Sequence, residues 1–156
     1  MTRKSLSVGI DLVQLSRISE SIATFGDRFL RRVFTEGELA YATAAPDLAP
    51  SRLAARLAAK EATLKALDLV ERGIGWHDIE VTRGPSGAPS LVLRGAARAA
   101  ADEAGLADSD LSLSLSHEGD YATAVVISSY RGALTPSPGL TPSPGATNAV
   151  TTQEKP

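Results

Sequence analysis

Between Arg56 and Ala66 the chain reads RLAAKEATLKA, a run of leucine and alanine interrupted by Arg56, Lys60, Glu61 and Lys65. Apolar density of this kind specifies a buried helix, on which charges are costly unless something pairs with them. At the helical repeat Leu53, Leu57, Leu64 and Leu67 share one stripe. Ala55, Ala59, Ala62 and Ala66 cover the far side, where a neighbouring backbone can approach closely. Lys60 projects within the leucine stripe, while Glu61 and Lys65 sit together at its edge, four residues apart. The plain structural reading is an exposed Glu–Lys pair that adds about 0.2–0.5 kcal/mol. A helix covered on both sides offers such a pair no exposed face, and the alternative is a ligand.

Asp11 poses the same question from another element. Leu6, Val8, Ile10 and Leu12 alternate with Ser5, Ser7, Gly9 and Asp11, the period of a strand with one apolar face and Asp11 on the opposite one. Asp11 either caps the turn into the next helix or meets Glu61. Two convergent carboxylates repel, and one takes up a proton unless a cation lies between them. The chain has no cysteine, which excludes disulfides, thiol nucleophiles and thiolate metal sites. Mg²⁺ suits such a pair, since it accepts one or two carboxylates and completes its shell with water and phosphate oxygens. Arg56, Lys60 and Lys65 would then supply positive charge beside a phosphate-bearing ligand. Sequence spacing leaves that convergence for the fold to decide.

Other residues carry weaker signals. His117, one of only two histidines, closes the alternating run LSLSLSH before a turn; it either points into a site or makes a structural hydrogen bond. His77, beside Trp76, reads as structural. Gly87 and Pro89 lie in GPSGAP, a hairpin turn whose amides could also approach a ligand. Thr35 and Glu38 have capping-box spacing, which gives Glu38 a structural role. Phosphate-loop, GxGxxG, HExxH and GxSxG signatures are absent, so kinase, dinucleotide and serine-hydrolase readings have no support.

The elements that must position these residues follow from periodicity. After the first strand a helix is expected from about 16 to 33, with Gly26-Asp27 a point of interruption. The leucine–alanine helix should run from an N-cap at Ser51 to about Arg72 and stop at Gly73. Strands are expected at Ile79 to Thr82, Ser90 to Leu93, Leu111 to His117 and Tyr121 to Ser128, with a short helix from Ala96 to Ala104. This order implies an α+β fold, a small and mainly antiparallel sheet packed with one long buried helix and shorter helices. Residues 1–131 form one domain. Residues 132–156, where LTPSPG occurs twice, are expected to be a disordered Pro/Ser/Thr-rich tail.

A net charge of −2 points to neither nucleic acid nor membrane, and no apolar run approaches membrane-spanning length. The basic start MTRKSLSVGIDLV contains Asp11 and reads as a strand rather than a signal peptide, so a cytoplasmic location is expected. Charge is uneven, with Arg17, Arg28, Arg31 and Arg32 in a locally basic first half that could receive an acidic partner.

VGIDLVQLSRI (8–18), FTEGEL (34–39), RLAAKEATLKAL (56–67), DIEV (78–81), SGAP (86–89) and LSLSHEGDYATAVVI (113–127) occur in this order. Together they resemble holo-acyl-carrier-protein synthase, the small bacterial class of 4′-phosphopantetheinyl transferases, over about residues 6 to 128. The resemblance implies that fold, and transfer of the 4′-phosphopantetheine arm of coenzyme A to a serine of apo acyl carrier protein, releasing adenosine 3′,5′-bisphosphate. It implies Mg²⁺ held by Asp11 and Glu61, with Lys65 on coenzyme A phosphate oxygens. Arg56 and His117 would line the same site, with Glu61, Lys65 and His117 taking part in catalysis, and Gly87 and Pro89 would form part of the cofactor pocket. Arg17, Arg28, Arg31 and Arg32 would face the acidic helix of the carrier. A homotrimer with sites between protomers is also implied. The serine proton would pass to a water near the metal or to a carboxylate such as Glu61.

This chain departs from the family pattern in one turn, usually Asn-Gly-Lys/Arg-Pro, where Ser86 and Ala88 stand instead. Any contact made by that basic side chain is lost. Two other readings compete with the transferase: a coenzyme A-binding module of the same fold without transferase activity, and a nucleotide-binding or scaffolding protein bound to an acidic partner.

Overall fold

A computed structural model of the chain describes residues 4–131; the expected tail lies outside the described residues. Strand β1 (Lys4–Gln14) is followed by helices α1 (Leu15–Phe25), α2 (Asp27–Val33), α3 (Glu36–Thr43) and α4 (Ala49–Ala66). Then come β2 (Ile79–Arg83), β3 (Pro89–Leu93), α5 (Gly95–Glu103), β4 (Leu111–Glu118) and β5 (Tyr121–Arg131). All pairing is antiparallel, in a three-stranded sheet of order β1-β5-β4 and a separate β2-β3 hairpin. The α+β architecture is as expected, with the strands divided between two sheets.

Helix α4 is the spine. Its alanine side packs on the inner face of the larger sheet, where Ala58, Ala62 and Ala66 share a core with Ala124 and Val126, and with Ile79, Val81, Leu91 and Leu93 of the hairpin. Its N-terminal half, through Leu53, Ala54 and Ala55, packs with Ile18, Val33 and Phe34 of the preceding helices. The close approach of strand to helix requires Gly9. A Cβ there would lie 1.9 Å from the Ala62 carbonyl oxygen and 2.7 Å from the Ala66 nitrogen. Gly9 and Asp11 therefore occupy the helix side of β1, and its apolar face is turned outward. Leu6, Val8, Ile10 and Leu12 are 61–69% exposed in the single chain.

Element boundaries follow local chemistry. Gly26, at φ +53°, separates α1 from α2 where an interruption was expected. The Thr35–Glu38 capping box forms, with Glu38 N donating to Thr35 Oγ1 at 3.2 Å and Thr35 N to Glu38 Oε2 at 2.9 Å. Two expectations for α4 are corrected. The helix starts at Ala49 with Pro50 in its first turn, so Ser51 is not its N-cap; the Ser51 hydroxyl donates back to Leu48 O at 2.9 Å. It ends at Ala66 rather than near Arg72, because Asp68 takes φ +55° and Leu69 N reaches back to Leu64 O at 2.8 Å, a left-handed closure that buries Leu69.

Candidate active site

The Gly9 approach sets Asp11 against the C-terminal half of α4. Lys65 Nζ donates to Asp11 Oδ1 at 2.8 Å and to Ile10 O at 3.1 Å. Thr123 Oγ1 of β5 donates to Asp11 O at 2.8 Å and holds that end of the strand. Glu61, half-buried one turn before Lys65, has its carboxyl raised above the usual range, first by burial and then by the Asp11 charge, with Lys65 opposing. The two carboxylates are thus in one electrostatic neighbourhood. Hard oxygen donors of this kind suit Mg²⁺, whose arrival would relieve both the burial cost and the repulsion. Among the described residues no cluster of three or more Asp, Glu, His or Cys forms, so a metal here would take the rest of its shell from water or ligand oxygens.

Lys60 is a correction. Its side chain is fully buried and its ammonium donates to Glu38 Oε2 at 2.8 Å, Trp76 O at 2.8 Å and Val33 O at 3.0 Å. All three protons are engaged, so none is free for a phosphate. Glu38 Oε1 in turn accepts from Val81 N at 2.9 Å. Burial pulls the Lys60 pKa down, and the adjacent Glu38 charge works against that. This knot joins α3, α4 and β2.

Arg56 belongs to neither group. It is 4% exposed at the wall of a cleft of ≈ 360 Å³, with its guanidinium 4.0 Å above the centroid of the Tyr41 ring. Arg52 and Arg83 stack on the same ring at 4.5 and 4.9 Å. Arg56 Nη1 donates to Arg52 O at 3.1 Å, and Arg52 Nη1 to Tyr41 O at 2.8 Å. Among the described residues Arg56 Nε is the only buried side-chain nitrogen or oxygen without a hydrogen-bond partner. Burial chiefly lowers the Arg56 pKa, Arg83 adds to this, and Glu38 and Tyr41 oppose it. No aspartate or glutamate lines the cleft. Tyr41, Arg52 and Arg83 were not singled out from sequence. Arg52 precedes Arg56 by one helical turn, the only available signal, whereas Arg83 arrives from the hairpin.

His117 and Pro89 line the same cleft, His117 from the exposed end of β4. Gly87 is not in the lining. Its φ of +80° shapes the β2–β3 turn, and a Cβ there would lie 3.8 Å from Arg83 Nη1. The expected site residues therefore form two groups: Asp11, Glu61 and Lys65; and Arg56, Pro89 and His117. Neither Asp11, Glu61 nor Lys65 lines the cleft. Nine residues at 100° each place Arg56 and Lys65 about 180° apart around α4, on opposite sides of the helix. Arg17 on α1, and Arg28, Arg31 and Arg32 on α2, are exposed, with Phe25 60% exposed at the C-terminal end of α1.

Comparison with known proteins gives this arrangement its setting. A sequence profile of the 4′-phosphopantetheinyl transferase superfamily matches residues 7–126. A holo-[acyl-carrier-protein] synthase of Koribacter versatilis is 46% identical over 123 residues, covering 78% of this chain and 96% of the relative. The fold is similar to that of a coenzyme A complex of the Chronobacterium ammoniagenes enzyme, with a TM-score of 0.71 at 31% identity over 81% of this chain and 98% of the other. It is also similar to a Helicobacter pylori holo-[acyl-carrier-protein] synthase in complex with coenzyme A, with a TM-score of 0.65 at 30% identity over 76% and 96% of the two chains. No helix among the described residues is long and apolar enough to cross a membrane. With matches that run nearly the full length of those relatives, the chain belongs to the holo-[acyl-carrier-protein] synthase family of the 4′-phosphopantetheinyl transferase superfamily.

Proposed function

We propose that this chain is a cytoplasmic transferase that moves the 4′-phosphopantetheine arm of coenzyme A to a serine of apo acyl carrier protein. The products are holo carrier protein and adenosine 3′,5′-bisphosphate. The observation that carries this reading is Asp11 of the strand held against Lys65 of the helix at 2.8 Å, with Glu61 one helical turn before Lys65 and within reach of the Asp11 charge. In the reaction the serine oxygen forms a bond to the pantetheine-side phosphorus, and the bond from that phosphorus to the nucleotide phosphate breaks. Positioning and neutralisation of charge supply most of the catalysis in such a displacement. Asp11 and Glu61 would hold Mg²⁺, which when bound would screen the charge of the pyrophosphate. Lys65, whose ammonium is directed to this spot by Asp11 and Ile10 O, would meet a phosphate oxygen on the departing side.

The cleft with Arg56, Pro89 and His117 takes the remainder of coenzyme A. Because the two groups lie on opposite sides of α4, one chain cannot close both on one ligand, and the active site is completed by a neighbouring copy. The outward apolar face of β1 supports this, since Leu6, Val8, Ile10 and Leu12 offer a continuous stripe for a homotrimer contact. Arg17, Arg28, Arg31 and Arg32 form the docking face for the acidic carrier, with Phe25 as its apolar contact.

The test is incubation with apo acyl carrier protein, coenzyme A and Mg²⁺, with the carrier followed by mass spectrometry. The carrier should gain one phosphopantetheine group; Asp11→Asn and Glu61→Gln should each lower the rate at least 100-fold while circular dichroism stays native. No mass gain with several bacterial carriers, while coenzyme A still binds, would favour a binding module of the same fold. Wild-type turnover by either variant would remove the metal assignment.

A further inference from the structure

The turn that borders the cleft, Gly84 to Pro89, contains no charged residue, yet the cleft is strongly cationic. Three guanidiniums gather on one tyrosine ring within 4.0–4.9 Å of its centroid. Like charges brought together in a partly desolvated wall repel, and the ring quadrupole offsets only part of that. Among the described residues no carboxylate lines this cleft, and the two nearby are engaged elsewhere. Glu80, in the adjoining recess with Tyr41, Arg56 and Arg83, is bound by Arg94 at 2.6 Å, and Glu38, whose charge acts on Arg56, is paired with Lys60 at 2.8 Å. Arg56, 96% buried by its 4% exposure, still has an unpartnered Nε. Three guanidiniums with no carboxylate among the described residues ion-paired to them, and an unmet buried donor at the same place, describe a seat for a multiply charged anion, for which paired guanidiniums have the right fork of donors.

We propose that Arg52 and Arg83, stacked with Arg56 on Tyr41, bind a phosphate monoester of the nucleotide and supply the charge that the 84–89 turn lacks. Tyr41 is their positioning residue. The proposal rests on the transferase reading for the identity of the ligand: with the pyrophosphate beside Asp11, Glu61 and Lys65, the dianion left for the cleft is the monoester on the ribose. Arg83 is the residue best placed to replace a basic turn side chain, because its Nη1 lies beside Gly87. Tyr41 does more than fill space. Its carbonyl accepts from Arg52 at 2.8 Å while its ring carries all three cations, so one residue fixes their common position.

Calorimetric titration with adenosine 3′,5′-bisphosphate and, separately, with adenosine 5′-monophosphate reads the monoester contact without carrier or turnover. Wild type should bind the bisphosphate at least tenfold more tightly. Arg83→Ala, at an exposed position, should lose most of that preference, and Arg52→Ala should reduce it. Ala88→Lys introduced into Arg83→Ala should restore at least a third of the lost preference by returning a cation to the turn. Tyr41→Phe should retain the preference and Tyr41→Leu should lose it. Equal affinity of wild type for the two nucleotides, or an Arg83→Ala variant with the full preference, would overturn the proposal. Failure of Ala88→Lys to restore binding would overturn its replacement of the turn charge. Absence of carrier modification by a wild type that discriminates the nucleotides would instead count against the transferase reading.

Discussion

At the scale of single residues, α4 separates charges that look alike in sequence. Lys60 is enclosed with Glu38, Arg56 lies against Tyr41, and Lys65 reaches Asp11 at a rim. Removing one partner of an enclosed pair leaves the other charge without compensation, which typically costs about 3–5 kcal/mol. Lys60→Met should therefore lower stability to urea by that order, and Glu38→Gln added to it should recover part of the loss. A Lys60→Met protein as stable as wild type would refute the structural role. Gly9 acts through space rather than charge. A methyl group there would overlap the Ala62 carbonyl, so Gly9→Ala should separate β1 from α4, costing about 1–3 kcal/mol of stability as overpacking does. It should also weaken Mn²⁺ binding, monitored by electron paramagnetic resonance, because Asp11 moves with the strand. Unaltered metal affinity would show that the close approach does not set the carboxylate pair.

At the scale of elements, what could be read from sequence was what is local. The Thr35–Glu38 box, the break at Gly26, the hairpin around GPSGAP and the alternation of β4 each depend on neighbours within a few residues, and each is found. The two ends of α4 were misplaced because Pro50 and Asp68, not Ser51 and Gly73, set them, and a left-handed aspartate leaves little trace in a sequence. The arginine cluster was missed for a related reason: Tyr41, Arg52 and Arg83 meet only after three elements pack. The cap of α1 is likewise remote. Asp120, in the β4–β5 turn, accepts from Ser16 N at 2.9 Å, Ser16 Oγ at 2.7 Å and Gln14 Nε2 at 2.8 Å, while its carbonyl accepts from Leu15 N at 2.8 Å. These donors, the Ser16 hydroxyl first, hold the Asp120 carboxyl below its usual 3.8. A depressed carboxyl stabilises the fold above its unfolded-state value, and that contribution is lost as pH falls through the native one. Asp120→Ala should thus lower Tm at pH 7, with the gap to wild type closing as pH falls below the usual carboxylate range. A gap that persists into acid would mean that the tie does not depend on the ionised carboxylate. Arg17 rides on the helix so capped, and its reversal, Arg17→Glu, should raise KM for the carrier while affecting kcat less. An unchanged KM would exclude α1 from the docking face.

At the scale of the whole molecule, the proposed assembly answers two features of the single chain at once. The larger sheet turns Leu6, Val8, Ile10 and Leu12 outward at 61–69% exposure, an unusual position for four apolar side chains of one strand. Helix α4 carries Arg56 on the side away from Lys65, and under the proposed division the arginine cleft of one copy would serve the carboxylate pair of another. Oligomerisation that covers the stripe would bring such halves together, which makes assembly a condition of catalysis rather than an accessory to it. Ile10→Glu should then give a smaller species by sedimentation, folded by circular dichroism but inactive. A sharper check uses two crippled chains. Asp11→Asn lacks one half of the site and Arg56→Ala the other, so neither forms a complete site alone. After co-expression at equal levels, about a quarter of the interfaces in a randomly mixed ring pair an intact Asp11 with an intact Arg56. Transfer activity should accordingly return to about a quarter of wild type, in an amount that varies with the mixing ratio as the product of the two fractions. If the mixture stays as inactive as its parents while forming mixed oligomers, both halves of the site must come from one chain, and the division around α4 would have to be closed by movement within the protomer.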